Sequence, residues 1–153
     1  MPSFRSERRV RHRSEQMFDL VADVERYPEF VPLCTSLRVR SRRSDTQGRE
    51  TLVADMSVGY KMIREKFTSR VVLDKPRLRV VVEYINGPFS HMENIWTFRD
   101  FPEQEVSLVT FFIDYEFRSR MLGALMGSMF DAAFRKFSKA FKERADVVYG
   151  RSS

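Results

Sequence analysis

The apolar pattern of this chain changes period once, and that change restricts what the chain can fold into. Over residues 35–117 apolar side chains alternate in the two-residue rhythm of strands, and over 121–147 they recur in the rhythm of a helix. Leu52, Ala54, Met56, Val58 and Tyr60 mark one face of a strand, and 37–40, 63–73, 78–85, 92–101 and 106–117 read as further strands. Turns are expected at 45–48, 59–61, 74–76 and 86–88, where Gly, Pro, Asn and Asp gather. Six strands joined by short turns favour an antiparallel meander.

A strand at 4–11 and a short amphipathic helix precede the meander. Ser14 stands as the helix N-cap with Glu15 in the first turn, and Met17, Leu20, Val21 and Val24 share a face. Pro28 and Pro32 interrupt the segment and leave room for one helical turn at 29–31. In the terminal helix Leu122, Leu125, Met126, Met129, Ala133, Phe134, Phe137, Ala140 and Phe141 form a stripe, with Asp131, Arg135, Lys139 and Lys142 largely away from it. A helix this long needs an extended apolar partner, and the meander supplies one. The expected fold class is α+β, a curved antiparallel sheet wrapped around a long C-terminal helix. No linker or repeat divides residues 1–153, which are expected to make one domain.

Fourteen Phe, five Tyr, one Trp and eight Met suit an irregular apolar interior, either a packed core or a greasy pocket. Cys34 is the lone cysteine, so no intrachain disulfide forms and nothing suggests an oxidising compartment. Residues 1–13 are polar and Arg-rich, unlike a signal peptide. The longest uncharged run, 121–130, has ten residues, against the ~20 that span a bilayer. These features predict a cytoplasmic protein, or one peripheral on the cytosolic face of the inner membrane. The net charge of +6 suits nucleic acid, an anionic membrane or an acidic partner, and does not choose among them.

Catalysis finds little support. His12, read as a surface residue, and His91, placed in a turn, have no nucleophile signature beside them. One cysteine and two distant histidines do not make a zinc set, and no metal site is expected. Glu65 alternates in phase with Ile63, Phe67 and Val71, so it either faces the interior or pairs with an arginine at the sheet rim. Arg99 follows the same logic on its own strand, in phase with Ile95 and Thr97. Gly123 and Gly127 each cost a helix ~1 kcal/mol relative to alanine. They point either to close packing or to a pliant, apolar entrance.

Four stretches in order carry a resemblance: VADVERYPEFVPLC (21–34), GYKMIREKFTSRV (59–71), Gly87-Pro88-Phe89 with MENIWTF (92–98), and DYEFRSRMLGALMGSMF (114–130). Together they resemble the coenzyme Q-binding branch of the START-like, polyketide cyclase/dehydrase superfamily, a branch that also includes bacterial ribosome association toxins. The resemblance implies the helix-grip fold and non-catalytic binding of ubiquinone or a similar polyprenyl quinone, with no required cofactor. It implies a carrier that supports respiratory electron transport or quinone biosynthesis, with respiratory complexes among its partners. Leu33 departs from the pattern, standing where a tryptophan is expected in the Tyr-Pro-x-Phe-x-Pro segment near the pocket mouth.

The apolar strand faces and the helix stripe nominate Met56, Tyr60, Phe67, Trp96, Phe98, Phe111, Ile113, Met126, Met129 and Phe134 as cavity lining, some of them being core instead. Quinone carbonyls only accept hydrogen bonds, so Tyr60, Trp96 or an arginine would serve as donor. Arg118, Arg120, Met121, Leu122 and Leu125 are the expected contact with an anionic membrane surface. Two alternatives stay open. One is a translation inhibitor on a ribosomal subunit, permitted by Arg5, Arg8, Arg9, Arg11, Arg13, Arg38, Arg40, Arg42 and Arg43, although no RNA-recognition motif is present. The other is a polyketide cyclase or aromatase, which needs an acid/base pair in the pocket. DNA is not an expected partner.

Overall fold

Every pair of neighbouring strands in the sheet is antiparallel, and the six strands of the meander are joined by hairpins or short turns. The computed structural model describes residues 3–150. Its strands are β1 (Ser3–Val10), β2 (Cys34–Ser44), β3 (Arg49–Tyr60), β4 (Ile63–Asp74), β5 (Arg79–Asn86), β6 (Phe89–Phe101) and β7 (Val106–Phe117). They form one seven-stranded sheet in the order β1-β7-β6-β5-β4-β3-β2. Helix α1 (Ser14–Ala22) and a 3-10 helix (Val24–Glu29) lie between the two edge strands in sequence. Helix α2 (Arg120–Tyr149) ends the described chain and crosses the concave face. This is the sheet wrapped around a helix that the change of period predicts, and the helix-grip fold that the resemblance implies.

Register shifts in the β2–β3, β4–β5 and β6–β7 pairs mark irregularities, and bulges of this kind bend and twist a sheet. The curvature lets α2 meet both halves of the sheet. Phe130 packs edge-on to Phe67 of β4 at 5.7 Å, and Phe134 packs against Tyr115 of β7 at 5.2 Å. Further along the helix Phe141 meets Trp96 of β6 at 4.8 Å. Asp55 ties three strands on the outer face: it accepts from Thr68 Oγ1 on β4 at 2.7 Å and from Arg40 Nε on β2 at 2.6 Å. The Thr68 hydroxyl first, then Arg40 and Lys66, hold its carboxyl below the usual range.

The arginine clusters acquire a structural explanation. Arg5, Arg8 and Arg9 lie on β1 and Arg38, Arg40, Arg42 and Arg43 on β2, the two edges of the sheet. Charge on an edge strand discourages pairing with another chain.

Several local expectations shift. Ser14 is buried as the first residue of α1, and its N–H and hydroxyl both donate to the Asp100 carboxylate, at 2.8 and 2.7 Å. The cap position falls to Arg13, whose N–H donates to Gln16 Oε1 at 3.0 Å. The helical turn expected at 29–31 comes earlier, at Val24–Glu29. The β3–β4 turn falls at Lys61 and Met62, with Lys61 at φ 55°, while Gly59 stays in β3. A side chain at Gly59 would meet the movable end of Arg64 at 2.8 Å and Thr35 Cγ2 at 3.3 Å, so the glycine eases side-chain packing on the strand and does not make the turn.

His12 is buried, not on the surface. Its Nε2 lies 2.8 Å from Asp146 Oδ1 of α2, fastening the helix to the residues after β1. His91 lies within β6, exposed, 3.0 Å from Asp114.

Candidate ligand-binding cavity

Between the concave face and α2 lies a cavity of about 120 Å³. The sheet contributes Leu37, Ala54, Met56, Val58, Phe67, Ser69, Val71, Val82, Phe89, Met92, Asn94, Trp96 and Ile113. Helix α2 contributes Phe130, Ala133, Phe134, Phe137 and Phe141, and Val24, Tyr27, Pro32 and Leu33 complete the wall. The alternation of each strand places these residues on one side, and the helix stripe closes over them.

The segment around Tyr27 to Leu33 is held by rings and a strained backbone. Tyr27 and Phe30 pack edge-on to Phe141 at 5.3 and 4.9 Å. The Tyr27 hydroxyl donates to the Val21 carbonyl, and its burial pushes the phenol above its usual range. Leu33 sits at φ 68°, a region that costs a non-glycine residue ~1–2 kcal/mol, with its carbonyl accepting from Gly59 N–H at 3.0 Å. The residue that departs from the family pattern is therefore a cavity wall in an unusual conformation.

The nominated residues divide. Met56, Phe67, Trp96, Ile113 and Phe134 line the cavity. Phe98 and Phe111 are buried core instead, Phe98 against Phe18 and Phe111 between Trp96 and Phe137. Met126 is buried and Met129 half-buried, both outside the lining. Tyr60 is 45% exposed on the hairpin, its ring beneath Lys61, and is no donor to the cavity. Trp96 is a wall, yet its indole N–H already donates to Asn94 Oδ1 at 3.2 Å.

Glu65 and Arg99 also stand apart. Glu65 is half-buried beyond the lining, and among the described residues it has no ion pair. Arg99 is exposed and stacks over Phe101 on the outer face. The lining holds no carboxylate, imidazole, ammonium or guanidinium. Sequence reasoning missed most of the wall, with Phe130, Phe141, Ser69 and Asn94 among the residues missed. Phe130 and Phe141 follow one another at helical spacing through Phe134 and Phe137, and Asn94 is in phase with Trp96 on β6.

On α2, Met121 is 73% exposed, Leu125 is exposed too, and Leu122 packs against the core. No atom lies within 4 Å of a Cβ built at Gly127, and at Gly123 the nearest is Phe117 at 3.8 Å. Close packing therefore explains neither glycine. Gly127→Ala is expected to stabilise the protein by ~1 kcal/mol, read as a higher urea midpoint at unchanged slope; a destabilised variant would restore the packing explanation.

The volume constrains the ligand. A cavity of ~150 Å³ binds benzene, and usual ligand pockets measure ~300–1,000 Å³. In this conformation the cavity admits one ring-sized group, and a long chain stays outside it.

The chain belongs to the family described as polyketide cyclase/dehydrase and lipid transport, which matches residues 10–142. Within that class it is 30% identical over 151 residues to the ribosome association toxin RatA of Rickettsia prowazekii, covering 97% of this chain and 99% of the relative. It is also 30% identical over 141 residues to the mitochondrial coenzyme Q-binding protein COQ10 homolog B of Xenopus laevis, covering 90% of this chain and 55% of that one. The solution structure of an 18 kDa protein from Caulobacter crescentus superposes with a TM-score of 0.79 at 32% identity, covering 99% of this chain and 100% of the other. Among the described residues no helix is long and apolar enough to cross a membrane.

Proposed function

We propose that the protein binds an isoprenoid quinone in this cavity and carries it to or from a membrane without performing chemistry on it. The observation that supports the reading most is the cavity itself, walled by rings and aliphatic groups and free of the acid/base pair that a cyclase needs. A quinone ring matches its size in this conformation, with the tail outside it.

Membrane contact is assigned to one end of the sheet. There the β3–β4 hairpin overhangs: β3 and β4 pair as far as Tyr60 and Ile63, whereas β4 leaves β5 at Thr68 and Asn86. The β7–α2 junction is tied to the same end by Arg118 N–H donating to the Pro88 carbonyl at 2.9 Å. Met62, 95% exposed, and Met121 and Leu125 supply apolar groups. Lys61 and Arg64 flank Met62 in sequence, Arg118 and Arg120 precede Met121, and among the described residues none of the four has a carboxylate partner. Each basic residue near an anionic surface contributes ~1 kcal/mol. Changing Arg118 and Arg120 to alanine is expected to lower quinone transfer between anionic vesicles at least tenfold and to weaken its salt dependence. Affinity for detergent-dispersed quinone should stay within twofold. Transfer indifferent to both the substitutions and salt would overturn the membrane assignment and turn attention to Tyr27–Leu33.

A second reading, association with a ribosomal subunit, is favoured by Arg38 and Arg43, exposed on edge strand β2 without carboxylate partners among the described residues. Sedimentation with ribosomal subunits that depends on these two arginines and not on the cavity would support it.

A further inference from the structure

Besides Tyr27 and Trp96, whose polar groups are already bonded, the cavity has two polar side chains with hydrogen-bonding capacity to spare. Asn94 on β6 and Ser69 on β4 are each 9% exposed and line it among rings and aliphatic groups. Asn94 Nδ2 donates to the Phe112 carbonyl at 2.8 Å, and Asn94 Oδ1 accepts from Trp96 Nε1 at 3.2 Å. A carbonyl only accepts and an indole N–H only donates, so both partners fix the same orientation of the amide. One Asn94 N–H and one Oδ1 lone pair are left over. No hydrogen bond joins the Ser69 hydroxyl to another described residue, and its oxygen is open to the cavity rather than sealed off.

A polar group that opens into an apolar cavity favours a ligand able to pair with it over one that is not. We infer that Asn94 and Ser69, on β6 and β4 with β5 between them, each offer the cavity a donor for a ring carbonyl oxygen, so that the quinone is taken up head first. The inference rests on the proposed quinone binding and adds its orientation. A tail in the cavity would leave both donors unpaired, whereas a ring carbonyl accepts from the amide N–H or the hydroxyl. The ring-sized volume fits the head, and the tail then extends toward the surface.

The test compares two ligands of equal chain length, a decyl-substituted 1,4-benzoquinone and decylbenzene, by calorimetric titration of the full-length protein in one detergent. Dividing the affinity ratio of the wild type by that of a variant cancels the difference in transfer from water. Asn94→Leu is expected to lower the preference for the quinone about tenfold and Ser69→Ala about threefold, the usual consequence of losing a buried hydrogen-bond partner. Both should keep decylbenzene binding, which reports an intact cavity. Because Asn94→Leu also strips partners from Trp96 and Phe112, Ser69→Ala decides alone if the leucine variant does not fold. Ratios unchanged within 1.5-fold in the folded variants would overturn the head-first site while leaving quinone binding intact. A wild type that binds neither ligand would overturn both.

Discussion

Replacing Phe141 with alanine is expected to remove about 3–5 kcal/mol of stability, a large part of the ~5–15 kcal/mol typical of a folded domain. The side chain is almost fully buried, and its ring is shared by three parts of the structure. It meets Trp96 of β6 at 4.8 Å, Phe30 at 4.9 Å and Tyr27 at 5.3 Å, all edge-on. Truncation therefore loosens the helix from the sheet and removes the surface on which Tyr27 and Phe30 rest. Urea unfolding should show a lower midpoint at unchanged slope. A loss below ~1 kcal/mol would mean that the site collapses around the smaller residue and that Phe141 does not hold these parts together.

Filling the cavity should do the opposite. Ala54 lies on β3 between Val39 and Ser69 in register and lines the cavity. Ala54→Phe brings a benzene-sized ring into a space of about 120 Å³. Quinone affinity is expected to fall by at least 100-fold while stability changes by less than ~1 kcal/mol, because the ring enters a void. Overpacking a filled core costs ~1–3 kcal/mol. A strongly destabilised variant would show that the space is already occupied by side-chain motion; a stable variant with normal affinity would place the ligand elsewhere.

The fold was legible because it depends on period. The two-residue rhythm through Phe117 and the helical rhythm after Met121 report burial directly, and the strands and α2 lie where that rhythm puts them. The change of period cannot say which apolar residues touch a void. Phe98 and Phe111 have the same alternation as Trp96 and Ile113 and are equally buried, yet only the latter pair borders the cavity. That distinction depends on sheet curvature and on where α2 crosses, both set by bulges that leave little trace in the sequence.

Tyr60 failed for a related reason. Its phase is right, but the hairpin carries it past the point where β5 stops and the concave face ends. Asn94 is in phase with Trp96, but a polar residue on a strand usually faces solvent, so phase alone does not mark it as lining. His12 likewise looked like a surface residue among arginines, and only the C-terminal part of α2, through Asp146, buries it.

The claim that joins these observations is that the cavity holds a quinone, and the most direct measurement identifies what the protein carries. Wild-type protein and the Ala54→Phe variant would be purified without detergent, extracted with organic solvent and compared by mass spectrometry. The account predicts a polyprenyl quinone in the wild-type extract, approaching one per protein, and its absence from the variant. A wild-type extract without quinone, or equal quinone from both proteins, would contradict it.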